Sequence, residues 1–114
     1  MTTIWHNPKC SKSREALSLL QEKGEAYDVV KYLESSPARA EIEALLKKLG
    51  VSARELMRTK EELYKELGLA KVEEEAKLID ALAEYPKLIE RPILIQGEKA
   101  IIGRPVEKVI AFLK

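Results

Sequence analysis

The chain has 114 residues, of which 46% are hydrophobic, so it is long enough for one domain with a buried core. Its 20 Lys and Arg residues balance 19 Asp and Glu residues, and the formal net charge of +1 argues against the strongly basic surface of a nucleic-acid-binding protein. The single cysteine excludes an internal disulfide and a zinc site built from cysteines.

The first third of the chain is typical of a β-α-β unit. A short strand begins at residues 3–5, and the apolar residues that follow Cys10 have the spacing of a helix that ends at Gly24. A second strand is predicted within residues 26–32. Two strands joined by a helix pair in parallel through a right-handed crossover, so we expect a parallel pair at the start of the fold.

The middle of the chain predicts a series of helices, because start and stop signals alternate with apolar residues at helical spacing. Serine or threonine followed three residues later by glutamate marks two helix starts as capping boxes. Acidic residues, which the helix dipole favours in a first turn, mark another. In chain order the signals are Ser36-Pro37, Gly50, the capping boxes at 52–55 and 59–62, Gly68, the acidic residues 73–75 and Tyr85-Pro86.

The last quarter of the chain predicts an antiparallel hairpin and a final helix. Residues 92–95 and 100–102 have the apolar character of strands, and residues 96–99 between them predict a tight turn. Residues 103–105 break the hairpin, and apolar residues at helical spacing follow from Val106.

The order of these elements predicts a single α/β domain over residues 1–114, in which a βαβ…ββα core with a mixed central sheet carries a helical insertion at about 37–85. No segment approaches the roughly 18 apolar residues that span a bilayer, and no signal-peptide pattern is present. With its lone thiol, the protein is expected in a reducing, cytoplasmic compartment, without membrane or nucleic-acid partners. No apolar stripe is left over, which favours a monomer.

Cys10 is the strongest candidate for a catalytic residue. The reactive form of cysteine is the thiolate, and a helix N-terminus with nearby cations lowers the thiol pKa. Lys9, Lys12 and Arg14 supply cations, while the first helical turn supplies amide groups that bind anions. A lone cysteine is also a common small buried residue, but polar and charged neighbours on both sides favour a functional role. His6 either assists the ionisation of Cys10 or packs at the strand end.

Three arginines lie at the ends of predicted elements rather than on helix faces. Arg58 lies between two predicted helices, and Arg91 and Arg104 each precede a proline. The guanidinium fork suits planar or tetrahedral oxyanions, so these three are candidate oxyanion ligands. Pro92 opens a strand beside one of them and is a candidate cis-proline. The remaining arginines, expected to be solvated helix or cap residues, are Arg14, Arg39 and Arg54.

Several motifs together resemble the glutaredoxin-coupled arsenate reductase family, and the resemblance runs nearly end to end. The motifs are His6-Asn7-Pro8-x-Cys10-x-x-Ser13-Arg14, Tyr32-Leu33-Glu34, Arg54-Glu55-Leu56-Met57-Arg58, Tyr64-Lys65-Glu66-Leu67-Gly68-Leu69, Glu90-Arg91-Pro92-Ile93 and Gly103-Arg104-Pro105. The first of these is specific in combination with the two Arg-Pro pairs. The resemblance implies a thioredoxin-like fold, with the predicted middle helices as the family's helical insertion.

The resemblance also implies roles for the candidate residues. Cys10 matches the family's catalytic cysteine, and His6 and Ser13 match residues that stabilise its thiolate. Pro92 matches the cis-proline of the thioredoxin fold. The family's three oxyanion-binding arginines correspond to Arg58, Arg91 and Arg104.

The implied reaction begins with attack of the Cys10 thiolate on As(V), which displaces an arsenate oxygen as water while the arginines neutralise the anion. Glutathione then attacks the adduct, glutaredoxin attacks the glutathione sulfur, and arsenite leaves. Because the chain has no second thiol, the further sulfurs must come from other molecules, which agrees independently with this scheme. Glutathione is therefore the expected co-substrate and glutaredoxin the expected protein partner, with no bound cofactor or metal.

One pair of residues departs from the family pattern and leaves alternatives open. The typical reductase has Gly-Thr between the cysteine and the serine, whereas this chain has Ser11-Lys12, which changes the shape and charge of the loop beside the sulfur. A glutathione-dependent thiol transferase, acting on glutathionylated proteins or small disulfides, also fits a single-thiol site. A third alternative is a non-catalytic regulator of the same fold that binds RNA polymerase. Regulators with a redox switch resemble a Cys-x-x-Cys site, which Ser13 interrupts, and an adaptor does not require three site arginines.

Overall fold

Strands and helices occur in the predicted order in this computed structural model, which describes residues 2–24 and 26–113. The strands are β1 (Thr2–Trp5), β2 (Tyr27–Val30), β3 (Ile93–Gln96) and β4 (Lys99–Ile102). The helices are α1 (Ser11–Lys23), α2 (Arg39–Leu49), α3 (Ala53–Leu56), α4 (Glu62–Glu66), α5 (Glu75–Glu84) and α6 (Val106–Phe112), with short 3₁₀ turns at Leu69–Lys71 and Pro86–Leu88. The chain divides into two compact units, Met1–Ser35 with Arg91–Lys114, and Ser36–Glu90.

The sheet of the first unit is mixed, as predicted. Its strand order is β2-β1-β3-β4, in which β1 and β2 are parallel while β3 is antiparallel to both β1 and β4. The hairpin turn is tighter than the predicted turn over 96–99, because Gln96 and Lys99 pair with each other across the strands. Gly97 in this turn has a φ of 58°, a conformation that glycine adopts without steric cost.

The core of the first unit lies between the sheet and the two helices α1 and α6. Ile4 and Leu94 are partners on the adjacent strands β1 and β3, and both are fully buried. Ala16 and Leu20, four residues apart on α1, share one helix face and pack against this cluster, as does Val109 from α6. The βαβ segment and the hairpin are thus joined by one apolar core, which fixes the ends of the strands relative to one another.

The second unit is helical, and α2 packs against α5 within it. The buried residues are Ile42, Leu45 and Leu46 on α2 and Leu78, Ile79, Ala81 and Leu82 on α5. Exposed Arg39 pairs with Glu43 on its own helix and with Asp80 on α5, as expected for a solvated helix residue. Both helices therefore present one apolar stripe to each other and their charges to solvent.

Two predicted helix starts are displaced. Ser36-Pro37 does not cap α2, because Ala38 is the cap residue and the Glu41 carboxylate accepts the Ala38 N–H at 3.2 Å. Thr59 does not cap α4, whose cap residue is Glu61. The predicted capping box at 52–55 is confirmed, since Ser52 and Glu55 bond each other's backbone N–H groups.

Arg54 is not the solvated cap residue that its position predicts. Its guanidinium donates to the Leu69 carbonyl oxygen at 3.2 Å and also contacts the Tyr64 hydroxyl and the Val72 carbonyl oxygen. These acceptors belong to α4 and the turn that follows it, so Arg54 connects α3 to the next helical segment. The prediction was wrong because it considered only the local capping sequence.

Among the residues that the structure describes, no helix has both the length and the apolar composition needed to cross a membrane.

Gly103 leaves no space for a side chain between the hairpin and α6. A Cβ atom there would lie 2.8 Å from Val109 Cγ2 and 3.0 Å from Pro92 Cγ. We expect Gly103→Ala to lower the free energy of unfolding by about 1–3 kcal/mol, since overpacking forces the neighbours apart. Chemical denaturation measures this loss. Introducing Gly103→Ala into a Val109→Ala background should produce a smaller loss, and an equal loss in both backgrounds would contradict the packing argument.

Candidate functional site

The register of the sheet brings several chain segments to one edge of the first unit. β1 and β2 run in parallel with Trp5 opposite Val30, so both strands end at this edge. Ile93 at the start of β3 pairs with Trp5 and with Ile102 at the end of β4. The start of β3 and the end of β4 therefore lie at the same edge. The segments that meet there are the loop 6–10, the turn at 31–35, Arg91-Pro92 and residues 103–105.

Cys10 occupies the N-cap position of α1, at the end of the loop that follows β1. The residue is 8% exposed, so most of it is shielded from water. Asn7 shapes this loop, because its carbonyl oxygen accepts the Cys10 N–H at 3.0 Å and its side-chain oxygen accepts the Lys9 N–H at 3.0 Å. An asparagine turn of this kind lets the chain leave the strand and enter the helix within a few residues. The thiol is therefore held at the helix start, as the sequence predicts.

Two arginines from other segments of the first unit act on the Cys10 sulfur. Arg104 Nη2 lies 3.5 Å from Sγ, while Arg104 Nε donates to the Arg91 carbonyl oxygen at 2.7 Å. The Arg91 side chain interacts with the thiol through hydrogen bonding and through its charge. Both arginines are half-buried, so solvent ions screen their charges less than at an open surface. Arg104 thus links the backbone before Pro92 to the sulfur.

The pKa of Cys10 is lowered from the ordinary thiol value by a balance of opposing effects. Burial is the largest effect and raises the pKa, because the neutral thiol is favoured away from water. The backbone N–H of Ser13, the Arg91 side chain and the backbone N–H of Lys12 together outweigh it. The two amides belong to the first turn of α1, where unpaired N–H groups attract anions. Both amides favour the thiolate because hydrogen bonding to the charged sulfur stabilises that form.

His6 contacts Ser13 rather than the sulfur. His6 Nδ1 lies 2.6 Å from Ser13 Oγ, and the Asn7 N–H donates to the same oxygen at 3.0 Å. Burial lowers the pKa of His6, and the charges of Lys31 and Arg14 lower it further, so the imidazole is neutral at pH 7. The Ser13 group that acts on Cys10 is its backbone N–H, whereas its hydroxyl binds His6 and Asn7.

Six predicted site residues lie in the first unit, and one lies in the second. The six are His6, Cys10, Ser13, Arg91, Pro92 and Arg104. The Arg91–Pro92 peptide bond is cis, as predicted, and the Arg104–Pro105 bond is also cis, which the sequence does not predict. Arg14 is exposed on α1, as expected for a solvated residue.

Arg58 belongs to the second unit, where its backbone and side chain bond to other residues of the same unit. Its N–H donates to the Leu88 carbonyl oxygen at 2.7 Å, and its Nη1 pairs with Glu61 Oε2 at 3.0 Å. The other carboxylate oxygen of Glu61 pairs with Lys87 at 3.2 Å. The Glu61 carboxylate therefore forms ion pairs with two cations, the Arg58 guanidinium group and the Lys87 ammonium group. The role of Arg58 as an oxyanion ligand stays a prediction.

Two residues that shape the site are not among the site residues predicted from the sequence. Asn7 lies inside the recognised motif, and its preference for turns is the signal that predicts its bonds to the loop. Lys31 follows β2 at the sheet edge and acts on His6 through its charge. The parallel pairing of β1 and β2 is the signal for Lys31, because it places the residues after both strands at the same edge.

The fold and the site are those of a thioredoxin-like oxidoreductase, with a cysteine of lowered pKa at the N-cap of its first helix and a cis-proline before its third strand. A family model described as the ArsC family matches residues 5–112, and the chain belongs to that family.

Known relatives agree with this assignment. An arsenate reductase of Neisseria meningitidis serogroup A is 51% identical over 113 residues, which cover 96% of each protein. The uncharacterized protein YfgD of Escherichia coli K12 is 57% identical over 110 residues, which cover 94% of this chain and 92% of that protein. A solved arsenate reductase from Vibrio cholerae superposes with a TM-score of 0.92 at 51% identity, covering 96% of this chain and 95% of that one. The protein is an arsenate reductase-like enzyme with a thioredoxin-like fold, which confirms the family and fold predictions.

The lowered pKa of Cys10 predicts a measurable pH profile. We expect the rate of Cys10 alkylation by iodoacetamide to rise with pH as the thiolate forms and to level off above a midpoint below about 8.5, the value of a free thiol. Arg91→Met should move this midpoint to higher pH, because a positive charge that favours the thiolate is removed. Mass spectrometry of the alkylated protein between about pH 5 and 10 gives both midpoints.

Lys99→Met is the matched control for that experiment. Lys99 is exposed at the start of β4, whereas the segments around Cys10 lie at the end of β4. The charge change is the same, but the midpoint should not move. A wild-type midpoint at or above that of a free thiol would contradict the assignment of Cys10 as the nucleophile.

Proposed function

We propose that the protein reduces arsenate at Cys10. The observation that carries the proposal is a single thiol of lowered pKa with Arg91 and Arg104 acting on its sulfur. Arsenate is a tetrahedral oxyanion, and guanidinium groups bind such anions through several N–H donors at once. The relatives named arsenate reductase support this substrate, since one of them is 51% identical over nearly the whole chain.

In the first step the Cys10 thiolate attacks As(V). An As–S bond forms, and one arsenate oxygen leaves as water after taking up protons from arsenate and solvent. Arg91 and Arg104 neutralise the anion while the thiolate approaches it, so two negative groups can meet without strong repulsion. The amides of the first turn of α1 stabilise the sulfur before the reaction begins.

Arg58 is the third proposed oxyanion ligand, and its role rests on the resemblance to the reductase motif. The contact with Glu61 involves Nη1, and a guanidinium group has five N–H donors, so donors remain for an anion. Glu61 also fixes the orientation of this long side chain, which reduces the entropy lost when an anion binds.

We propose glutathione as the second thiol and glutaredoxin as the third. Glutathione displaces another arsenate oxygen as water and forms its own S–As(V) bond. A glutaredoxin thiolate then attacks the glutathione sulfur, the two form a mixed disulfide, and the electrons of the broken S–As bond reduce As(V) to As(III). Water displaces the Cys10 thiolate, and arsenite leaves. The single cysteine supports this sequence, because the chain has no second thiol to resolve the adduct.

The proposal includes a cytoplasmic setting, in which reduced glutathione is abundant, and no bound cofactor. The departure at Ser11-Lys12 is compatible with it. Both residues have exposed side chains, and Lys12 pairs with Glu15 at a distance of 3.9 Å. The group of Lys12 that acts on Cys10 is its backbone N–H, which every residue type except proline supplies.

Arsenate-dependent oxidation of NADPH, coupled through glutathione, glutaredoxin and glutathione reductase, tests the proposal. We expect turnover in the wild type, no turnover in Cys10→Ser, and losses of at least about tenfold in kcat/KM for Arg91→Ala and Arg58→Ala, as for the removal of a charged ligand. Lys99→Met serves as the charge control and should retain turnover.

The same proteins should also be assayed for removal of glutathione from a glutathionylated protein. No turnover with arsenate together with deglutathionylation that requires Cys10 would replace arsenate reduction with the thiol transferase alternative. Inactivity in both assays, together with a defined complex with RNA polymerase that survives Cys10→Ser, would favour a regulator.

A further inference from the structure

A buried side-chain pair joins the end of the first strand to the first turn of α1. His6 is 5% exposed and Ser13 is fully buried, and the distance from His6 Nδ1 to Ser13 Oγ is 2.6 Å. His6 is itself anchored to the sheet, because its backbone N–H donates to the Val30 carbonyl oxygen at 2.8 Å. Cys10 lies between these two residues in the chain, at the cap position of the same helix.

Ser13 Oγ makes one hydrogen bond of fixed direction, from Asn7, and one whose direction depends on the tautomer of His6. The Asn7 N–H donates to this oxygen at 3.0 Å, so the oxygen is already an acceptor. A hydroxyl has one proton to donate, and His6 Nδ1 at 2.6 Å is placed to accept it. That arrangement requires a neutral imidazole with its own proton on Nε2. Lys31 after β2 and Arg14 on α1 face His6 with positive charges, which oppose a third charge on the imidazole.

We propose that His6 controls Cys10 through Ser13, as a neutral hydrogen-bond acceptor that holds the first turn of α1 with its amide N–H groups directed at the sulfur. His6 is then a positioning residue and not a charged partner of the thiolate. The inference rests on the proposed nucleophilic role of Cys10, but it is independent of whether arsenate is the substrate.

The alternative role for a histidine near a catalytic thiol is a direct charge–charge interaction. An imidazolium has protons on both nitrogens, so Nδ1 could no longer accept the Ser13 hydroxyl proton. The groups that lower the thiol pKa include the Ser13 and Lys12 amides and the Arg91 side chain, and the hydrogen bond of the His6 ring goes to Ser13. Ser13 is the third residue of α1. His6 can therefore affect Cys10 indirectly, because a bond that holds the Ser13 side chain also holds the Ser13 backbone N–H.

Two substitutions at His6 separate the roles. An asparagine side chain places an acceptor oxygen close to the position of Nδ1 and does not titrate, so His6→Asn keeps the bond to Ser13 and removes any charge. His6→Ala removes both. We expect the midpoint of Cys10 alkylation to stay within about 0.3 pH units of the wild type in His6→Asn and to rise by about 0.5–1 unit in His6→Ala.

Ser13→Ala completes a double-mutant cycle. We expect it to raise the midpoint by an amount similar to that of His6→Ala, and the double variant should show no further rise, because His6 then has nothing to hold. Additive shifts would show that His6 acts independently of Ser13 and would overturn the proposal. A midpoint in His6→Asn that matches His6→Ala would also overturn it, since the charge would then be the important property.

A measurement on the wild-type protein keeps the proposal testable where a variant fails to fold. The ¹⁵N chemical shifts of the His6 imidazole should show one protonated nitrogen, Nε2, throughout the pH range in which Cys10 titrates. Protonation of both nitrogens in that range would contradict the neutral acceptor role. Circular dichroism and unfolding midpoints of each variant distinguish lost positioning from lost folding. Because alkylation requires no arsenate, a failure of arsenate turnover leaves this result interpretable.

Discussion

The reactivity of Cys10 depends on a balance between burial and the positive groups around its sulfur. Burial raises the thiol pKa, and it is the largest single effect on this residue. The same burial reduces screening, so each amide and guanidinium group near the sulfur has more influence than it would have in open water. A thiolate at this position therefore requires several favourable contacts together. The fold supplies them from segments that are distant in the chain, namely the first turn of α1 and the segments that carry Arg91 and Arg104.

The contacts come from the arrangement of strand ends at one edge of the sheet. Arg91 precedes β3 and Arg104 follows β4, and the pairing of Ile93 with Ile102 brings both arginines to the same end of the hairpin. Arg104 then bonds the Arg91 carbonyl oxygen and reaches the sulfur with the other end of its guanidinium group. Gly103, directly before it, packs against Val109 and Pro92 without space for a Cβ atom. Close packing of the hairpin on α6 thus sets the position of a charged group at the thiol.

Local patterns predicted the parts of the structure that local physics determines. The βαβ unit, the hairpin and the helix start at Cys10 follow from periodicity and turn residues, and the Ser52 capping box from its spacing. Contacts between elements are not predicted by such local patterns. Arg54 carries the same local capping pattern whether its guanidinium is solvated or bound to Leu69, and only the tertiary structure decides which. The bond from His6 to Ser13 likewise depends on the exact path of the loop between strand and helix.

In the first turn of α1, backbone atoms act on the sulfur, whereas side chains form part of the surface around it. The backbone N–H of Lys12 acts on Cys10, while the Lys12 side chain is exposed and pairs with Glu15. A change of side chain at this position therefore leaves the amide that favours the thiolate in place, and alters the surface that an incoming molecule meets. In the proposed reaction, resolution of the Cys10 adduct requires an incoming thiol, because the chain has one cysteine. The exposed side chains of Ser11 and Lys12 are consequently better placed to influence which thiol approaches than whether Cys10 can react.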